Sequence, residues 1–209
     1  MGVSLLENDG DRRPAFVPLT VEQFHRMMQT GVLREGEPIE LVDGLLVLRD
    51  RSSLGGDPMA HGPRHATAVS SLQELNVRLL PLGFHARSQL PITLGAIQSP
   101  EPDLAVTRGT RADFRDNHPT AQDVPVVVEV ADSSLEYDRT TKQRIYATAG
   151  IPVYLIVNLP EAQIEVYENP LPAEGRYARR TDHKPGQMIR LPLTASSAVE
   201  IAVLDILPS

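Results

Sequence analysis

Two acids and a lysine stand out by their surroundings. Glu129 lies in Pro125-Val126-Val127-Val128-Glu129-Val130, where every other residue is proline or valine. An isolated carboxylate inside such a run costs on the order of several kcal/mol unless it is paired or binds a cation. Of the 20 basic residues only Lys142 and Lys184 are lysine, so each lysine is informative. Positions 142, 145, 146 and 149 share one face of a helix, and the other three are Ile145, Tyr146 and Ala149. An ammonium on that apolar stripe calls for a carboxylate or a phosphate. A plain Glu–Lys pair, or a lysine stem running past the helix edge, would satisfy the same pattern.

Two further acids qualify. Asp103 sits in Ser99-Pro100-Glu101-Pro102-Asp103, where the prolines bias the chain to an extended entry into a strand. Glu40 sits between Ile39 and Leu41, and on a pleated strand it points the same way as Val42. Each taken singly reads as a solvated strand-end acid. Together Glu40, Asp103, Glu129 and Lys142, in a chain with no cysteine, suit a hard oxygen-seeking ion such as Mg2+ or Mn2+. A water held by that metal could attack phosphorus, with the lysine assisting or neutralising charge.

These residues need elements to hold them. Thr20 with Gln23 forms a capping box that opens a helix over Val21, Phe24, Met27 and Met28, and Gly31 suits its end. Asp43-Gly44 between two apolar runs predicts a hairpin. Residues 49–63 read as a loop. A helix is expected from His65 to Leu80, with Val69, Leu72, Leu75, Leu79 and Leu80 on one side. Strands are expected at Phe84–Ser88, Leu90–Leu94, Asp103–Val106, Pro125–Val130, Val153–Val157, Gln163–Tyr167, Arg190–Leu193 and Val199–Leu207, with a helix at Tyr137–Ala149. That order gives an α/β or α+β fold with a mixed sheet. Residues 1–17 read as a frayed lead-in and 18–209 as one domain.

Composition narrows the function. The chain has 209 residues, 41% of them hydrophobic, and a net charge of −7. The charge argues against non-specific coating of nucleic acid, though not against a local basic strip. Without cysteine there is neither a disulfide framework nor a Cys-ligated zinc site, which suits the cytosol. The N-terminal residues do not read as a signal peptide, and no apolar stretch approaches a membrane span. His61 and His65 are separated by Gly62-Pro63 and share no helical face, so they make a poor zinc site. His65 reads instead as a helix-start cap or a DNA-backbone contact. No nucleophile elbow, phosphate loop or dinucleotide fingerprint occurs. Aromatics at 4% with no tryptophan weigh against stacking of single strands. Arg176, Arg179, Arg180 and Lys184 form the one basic strip, either holding DNA phosphates or lining a solvated hairpin.

The ordered set IELVDG, PEPDLAV, VPVVVEVADSS, then Asp138, Lys142, YATAG and IPVYLIVN resembles the Uma family of putative restriction endonucleases, within the PD-(D/E)XK nuclease superfamily. The similarity runs from about Leu19 to Tyr167. It implies a restriction-endonuclease-like fold, a central mixed sheet flanked by helices, and a Mg2+- or Mn2+-dependent endonuclease acting on DNA, with a homodimer as a candidate assembly. It assigns metal binding to Asp103 and Glu129, a supporting acid to Glu40 and the catalytic lysine to Lys142. The superfamily's usual lysine position, two residues after the glutamate, is Ala131 here, and Lys142 fits the family's shift of that lysine to the following helix. Asp132 stands where the family has serine. The competing reading is a degenerate module that keeps the fold for binding or assembly and cleaves nothing.

Overall fold

The computed structural model describes residues 16–34, 36–48 and 62–208. Most of the expected lead-in, the loop over 49–61 and His61 lie outside the described residues.

The first element among the described residues is α1 (Val21–Gln29), whose capping box is present: Gln23 N donates to Thr20 Oγ1, and Thr20 N donates to the Gln23 side chain. A hairpin of β1 (Ile39–Val42) and β2 (Leu45–Leu48) follows. It turns at Asp43 and Gly44, both with positive φ (52° and 72°). That conformation is why Asp-Gly is favoured there. A Cβ on Gly44 would fall 2.3 Å from the Pro18 side chain, so this glycine is needed for space as well.

Next come α2 (Pro63–Glu74), with Pro63 in its first turn, and the short α3 (Asn76–Leu79). Six strands then build the main sheet: β3 (Phe84–Arg87), β4 (Leu104–Arg108), β5 (Val126–Ala131), β6 (Val153–Asn158), β7 (Gln163–Leu171) and β8 (Arg176–His183), in that spatial order. Only β5 and β6 run parallel; every other neighbouring pair is antiparallel. A parallel pair needs a crossover, supplied by a helical segment made of α4 (Leu135–Tyr137), a π turn over Asp138–Lys142 and α5 (Gln143–Thr148). The tail adds the pair β9 (Met188–Pro192) and β10 (Ala198–Ala202), then α6 (Val203–Ile206).

The sheet is covered on both sides, and β5 shows why its valines run without interruption. Val126, Val128 and Val130 join α2, β9, β10 and α6 in one core. Val127 and Ala131 join Ile145, Tyr146 and Tyr154 in the other. All six residues of β5 are buried. A strand buried on both faces must be apolar at every position, so Glu129 is the exception that needs a reason. Among the described residues no helix is long and apolar enough to cross a membrane.

Several expectations are corrected. Leu90–Leu94 is no strand: Pro91 has no N–H for a ladder and Gln89 sits at φ 52°. Ile92 and Leu94 are buried all the same, and their amides bond Pro100 and Gln98. The helix expected from His65 to Leu80 starts at Pro63 and breaks at Leu75. Pro81 then ends the helical register, and Leu80 turns out to 54% exposure. Val199–Leu207 is a strand only to Ala202; Val203 and Ile206, three apart, face the core from α6.

Candidate active site

The antiparallel register of β4 and β5 runs Leu104 opposite Val128 and Ala105 opposite Val127. Continued by one residue, it sets Asp103 opposite Glu129. The two are joined directly: Asp103 N donates to Glu129 Oε2 at 3.3 Å. Asp103 Oδ2 accepts from the backbone amide of Val130 at 2.8 Å, and His65 Nε2 lies 3.1 Å from the same oxygen. His65 stands in the first turn of α2. Its imidazole therefore reaches into the acid cluster.

Glu129 alternates with Val128 and Val130 and so faces the crossover helix. There Tyr146 Oη donates to Glu129 Oε1 at 2.6 Å and Lys142 Nζ donates to it at 3.1 Å. Of the expected inward stripe, Lys142, Ile145 and Tyr146 are buried on α5 and the turn before it, and Ala149 is half-buried at the end of α5. Lys142 also meets Glu40: Nζ lies 2.7 Å from Oε2 and 2.9 Å from Oε1. Glu40 Oε1 accepts from the Glu101 amide as well. The hairpin thus delivers Glu40 to the ammonium across 102 residues of chain. Glu40, Asp103, Glu129 and Lys142 are all at most 2% exposed.

One member of this group was not picked out as a site residue from sequence. Asp138 opens the π turn, one turn before Lys142, and is buried. Burial, then the nearby Glu129 charge, pushes its carboxyl up to about 8; the Ser134 hydroxyl at 2.6 Å and the Lys142 charge act in the opposite direction. Its spacing of four from Lys142 was the available signal. The π turn is anchored from its other side by Arg139, whose Nε donates to both carboxylate oxygens of Glu165 at 3.1 and 3.2 Å. Glu165 is fully buried on β7 and also accepts from Asn158 and Tyr167. Burial of Tyr146, added to the Glu129 charge beside it, holds its phenol well above the usual range, so it acts as a donor. Among the described residues, Asp132 joins none of these bonds.

The donor set suits a hard cation. Two carboxylates from adjacent strands are fixed by a backbone amide, an imidazole and a phenol, and such outer partners orient ligands. Among the described residues no three His, Asp or Glu side chains enclose a common point. Magnesium asks for less, since it is commonly held by one or two carboxylates with water and substrate completing its shell.

The basic strip lies elsewhere. Arg176, Arg179 and Arg180 are on β8, three strands and roughly 14 Å from β5. Arg176 pairs with Glu174, Arg179 with Glu168, and Arg180 with Asp182 and Glu165. Lys184 is exposed beyond the strand.

Comparison with known proteins agrees with this architecture. Residues 21–204 match the model of the family Uma2, putative restriction endonuclease. Among solved structures, a putative nuclease belonging to DUF820 from Anabaena variabilis ATCC 29413 is similar to this chain at 20% identity and a TM-score of 0.64. The match covers 90% of this chain and 97% of that one, and at this identity it speaks for the fold. No curated protein matches.

Proposed function

Because the chain belongs to the Uma2 family of putative restriction endonucleases, we propose that Asp103, Glu129, Lys142 and Glu40 form the active centre of a nuclease that hydrolyses phosphodiester bonds of DNA with Mg2+ or Mn2+. The observation that carries this reading is the convergence of Asp103 and Glu129, from neighbouring strands, beside a buried ammonium. Stability alone gives little reason for such a group, since a buried ion pair is often matched or exceeded by apolar residues.

A divalent ion, when bound, supplies an acidified water and neutralises phosphate charge. Asp103 and Glu129 would hold it. His65 and the Val130 amide fix Asp103; Tyr146 fixes Glu129. Glu40 orients Lys142, whose ammonium opposes the negative charge that grows on the phosphoryl oxygens as water adds to phosphorus and the ester oxygen departs with a proton. Asp138 holds a proton near neutrality, which limits the number of buried negative charges around one ammonium.

Calorimetric titration of Mg2+ and Mn2+ into the wild type, Glu129→Ala and Lys142→Ala tests the metal. The wild type should take up one of these ions at millimolar concentration and Glu129→Ala should not. Lys142→Ala should bind as well or more tightly, because a competing cation is gone. One observation favours the non-cleaving module: Lys142 already pairs with both Glu40 and Glu129, so these carboxylates have a cation partner without any metal. No uptake of divalent ion by the wild type would leave that reading in place of the nuclease.

A further inference from the structure

A second polar cluster lies beside the acid cluster. Arg87 ends β3 directly opposite Ala105, two residues along β4 from Asp103. With strands about 4.8 Å apart and a rise of about 3.4 Å per residue, the two backbones are roughly 8 Å apart. Arg87 is 9% exposed, its Nε is buried without a hydrogen-bond partner, and among the described residues no carboxylate pairs with it. Its guanidinium lies over Phe114, 5.7 Å from the ring centre. Desolvation, then the charges of His25 and Arg87, holds the His118 imidazole below its ordinary range. His118 packs on His25 of α1 with ring centres 5.1 Å apart, and His25 Nε2 is also buried without a partner. Asp113 is near His85 but is committed to the Thr110 amide and hydroxyl, at 2.7 and 2.9 Å.

Native structures rarely leave buried polar atoms unmatched, and Arg87 Nε, His25 Nε2 and His85 Nε2, whose ring stacks on Phe114, are three such atoms. An anion at Arg87 would supply the acceptor and the opposite charge that its guanidinium lacks among the described residues. A planar guanidinium whose charge is felt by the His118 imidazole matches the several oxygens of a phosphate. The β8 arginines offer no equivalent, being paired with acids three strands from β5.

We propose that Arg87, with His118 and His25, binds one phosphate of the nucleic-acid strand whose neighbouring phosphate meets the acid cluster of Asp103 and Glu129. The proposal rests on the nuclease reading for its ligand, and its test needs no cleavage. Full-length wild type, Arg87→Met and Arg87→Lys are compared by thermal unfolding with inorganic phosphate, and by fluorescence anisotropy with a short DNA duplex over a salt series. Phosphate should raise the melting temperature of the wild type and not of Arg87→Met. Duplex affinity of Arg87→Met should fall about tenfold, and the slope of log K against log salt should become shallower by about 0.9, the value for one phosphate contact. Arg87→Lys should keep most of the slope. If Arg87→Met does not fold, half-buried His118→Gln carries the same comparison, with an affinity loss expected.

Unchanged phosphate and duplex binding in Arg87→Met, or in His118→Gln where it stands in, would overturn the subsite and leave Arg87 as a packing partner of Phe114. A phosphate effect that needs Arg87 while duplex affinity stays constant would overturn the polynucleotide assignment in favour of a free anion. Duplex binding through Arg87 by a protein that cleaves nothing supports the subsite and removes the nuclease reading. Cleavage with an unaltered salt slope in Arg87→Met does the reverse.

Discussion

Replacing Lys142 by methionine keeps most of the side-chain volume and removes the charge between Glu40 and Glu129. The ammonium lies 2.7 Å from one carboxylate and 3.1 Å from the other, with all three side chains at most 3% exposed. Solvent cannot screen what is left behind: two buried carboxylates with their shared cation gone. Removing one partner of a buried pair costs about 3–5 kcal/mol, most of it from the stranded charge. For a chain of this size each kcal/mol lowers the melting temperature by about 2–4 °C, so a fall of roughly 6–20 °C is expected. Arg115→Met is the control. Its pair with Asp116 is 82% and 74% exposed, and such a pair is worth about 0–1 kcal/mol. Thermal unfolding by circular dichroism near neutral pH reads both. Added Mg2+ should restore more of the melting temperature to Lys142→Met than it adds to the wild type, because a divalent ion can take over the neutralising role. A Lys142→Met protein as stable as the Arg115→Met control would refute the reasoning, since the carboxylates would then need no cation.

Asp138→Asn should be stabilising in a pH-dependent way. Wild-type Asp138, raised to about 8, keeps in the folded state a proton that the unfolded chain releases above about pH 4, so its contribution is lost as pH rises from about 4 to 8. The advantage of the asparagine variant in urea denaturation should grow through that window, by at most about 1.4 kcal/mol per pH unit, and level off above it; a constant difference would contradict the assignment. Tyr146→Phe removes the 2.6 Å bond to Glu129 and should cost about 1.5–3 kcal/mol in the same assay. Thr20→Ala breaks the capping box of α1 and should cost about 1 kcal/mol without changing divalent-ion uptake.

What could be read from sequence follows from how local each feature is. The β5 valines declare a strand buried on both faces, and Asp43-Gly44 declares its turn, because both signals lie within a few residues. Lys142 was legible because lysine is so scarce here that its place on an apolar stripe carried information. Its bond to Glu40 spans 102 residues, and the bond between His65 and Asp103 spans 38, so no spacing rule encodes either. The π turn is silent for a different reason: Asp138 and Lys142 are four apart, which an ordinary α-helix would also accommodate. Leu90–Leu94 looked like a strand from its apolar content, but Pro91 denies it a ladder while Ile92 and Leu94 still bury. Arg87, His118 and His25 come from β3, the connection between β4 and β5, and α1, so only tertiary structure brings them near one another.

Cleavage decides whether the acid cluster is an active centre. Full-length protein is incubated with supercoiled plasmid and with branched DNA in millimolar Mg2+ or Mn2+, beside Asp103→Asn, Glu129→Gln and Lys142→Met, each first shown to be folded. The wild type should nick or linearise DNA, a chelator should stop it, and each substitution should abolish it. Cleavage that survives Glu129→Gln, or none by a wild-type protein that has bound either metal, would contradict the assignment of these residues.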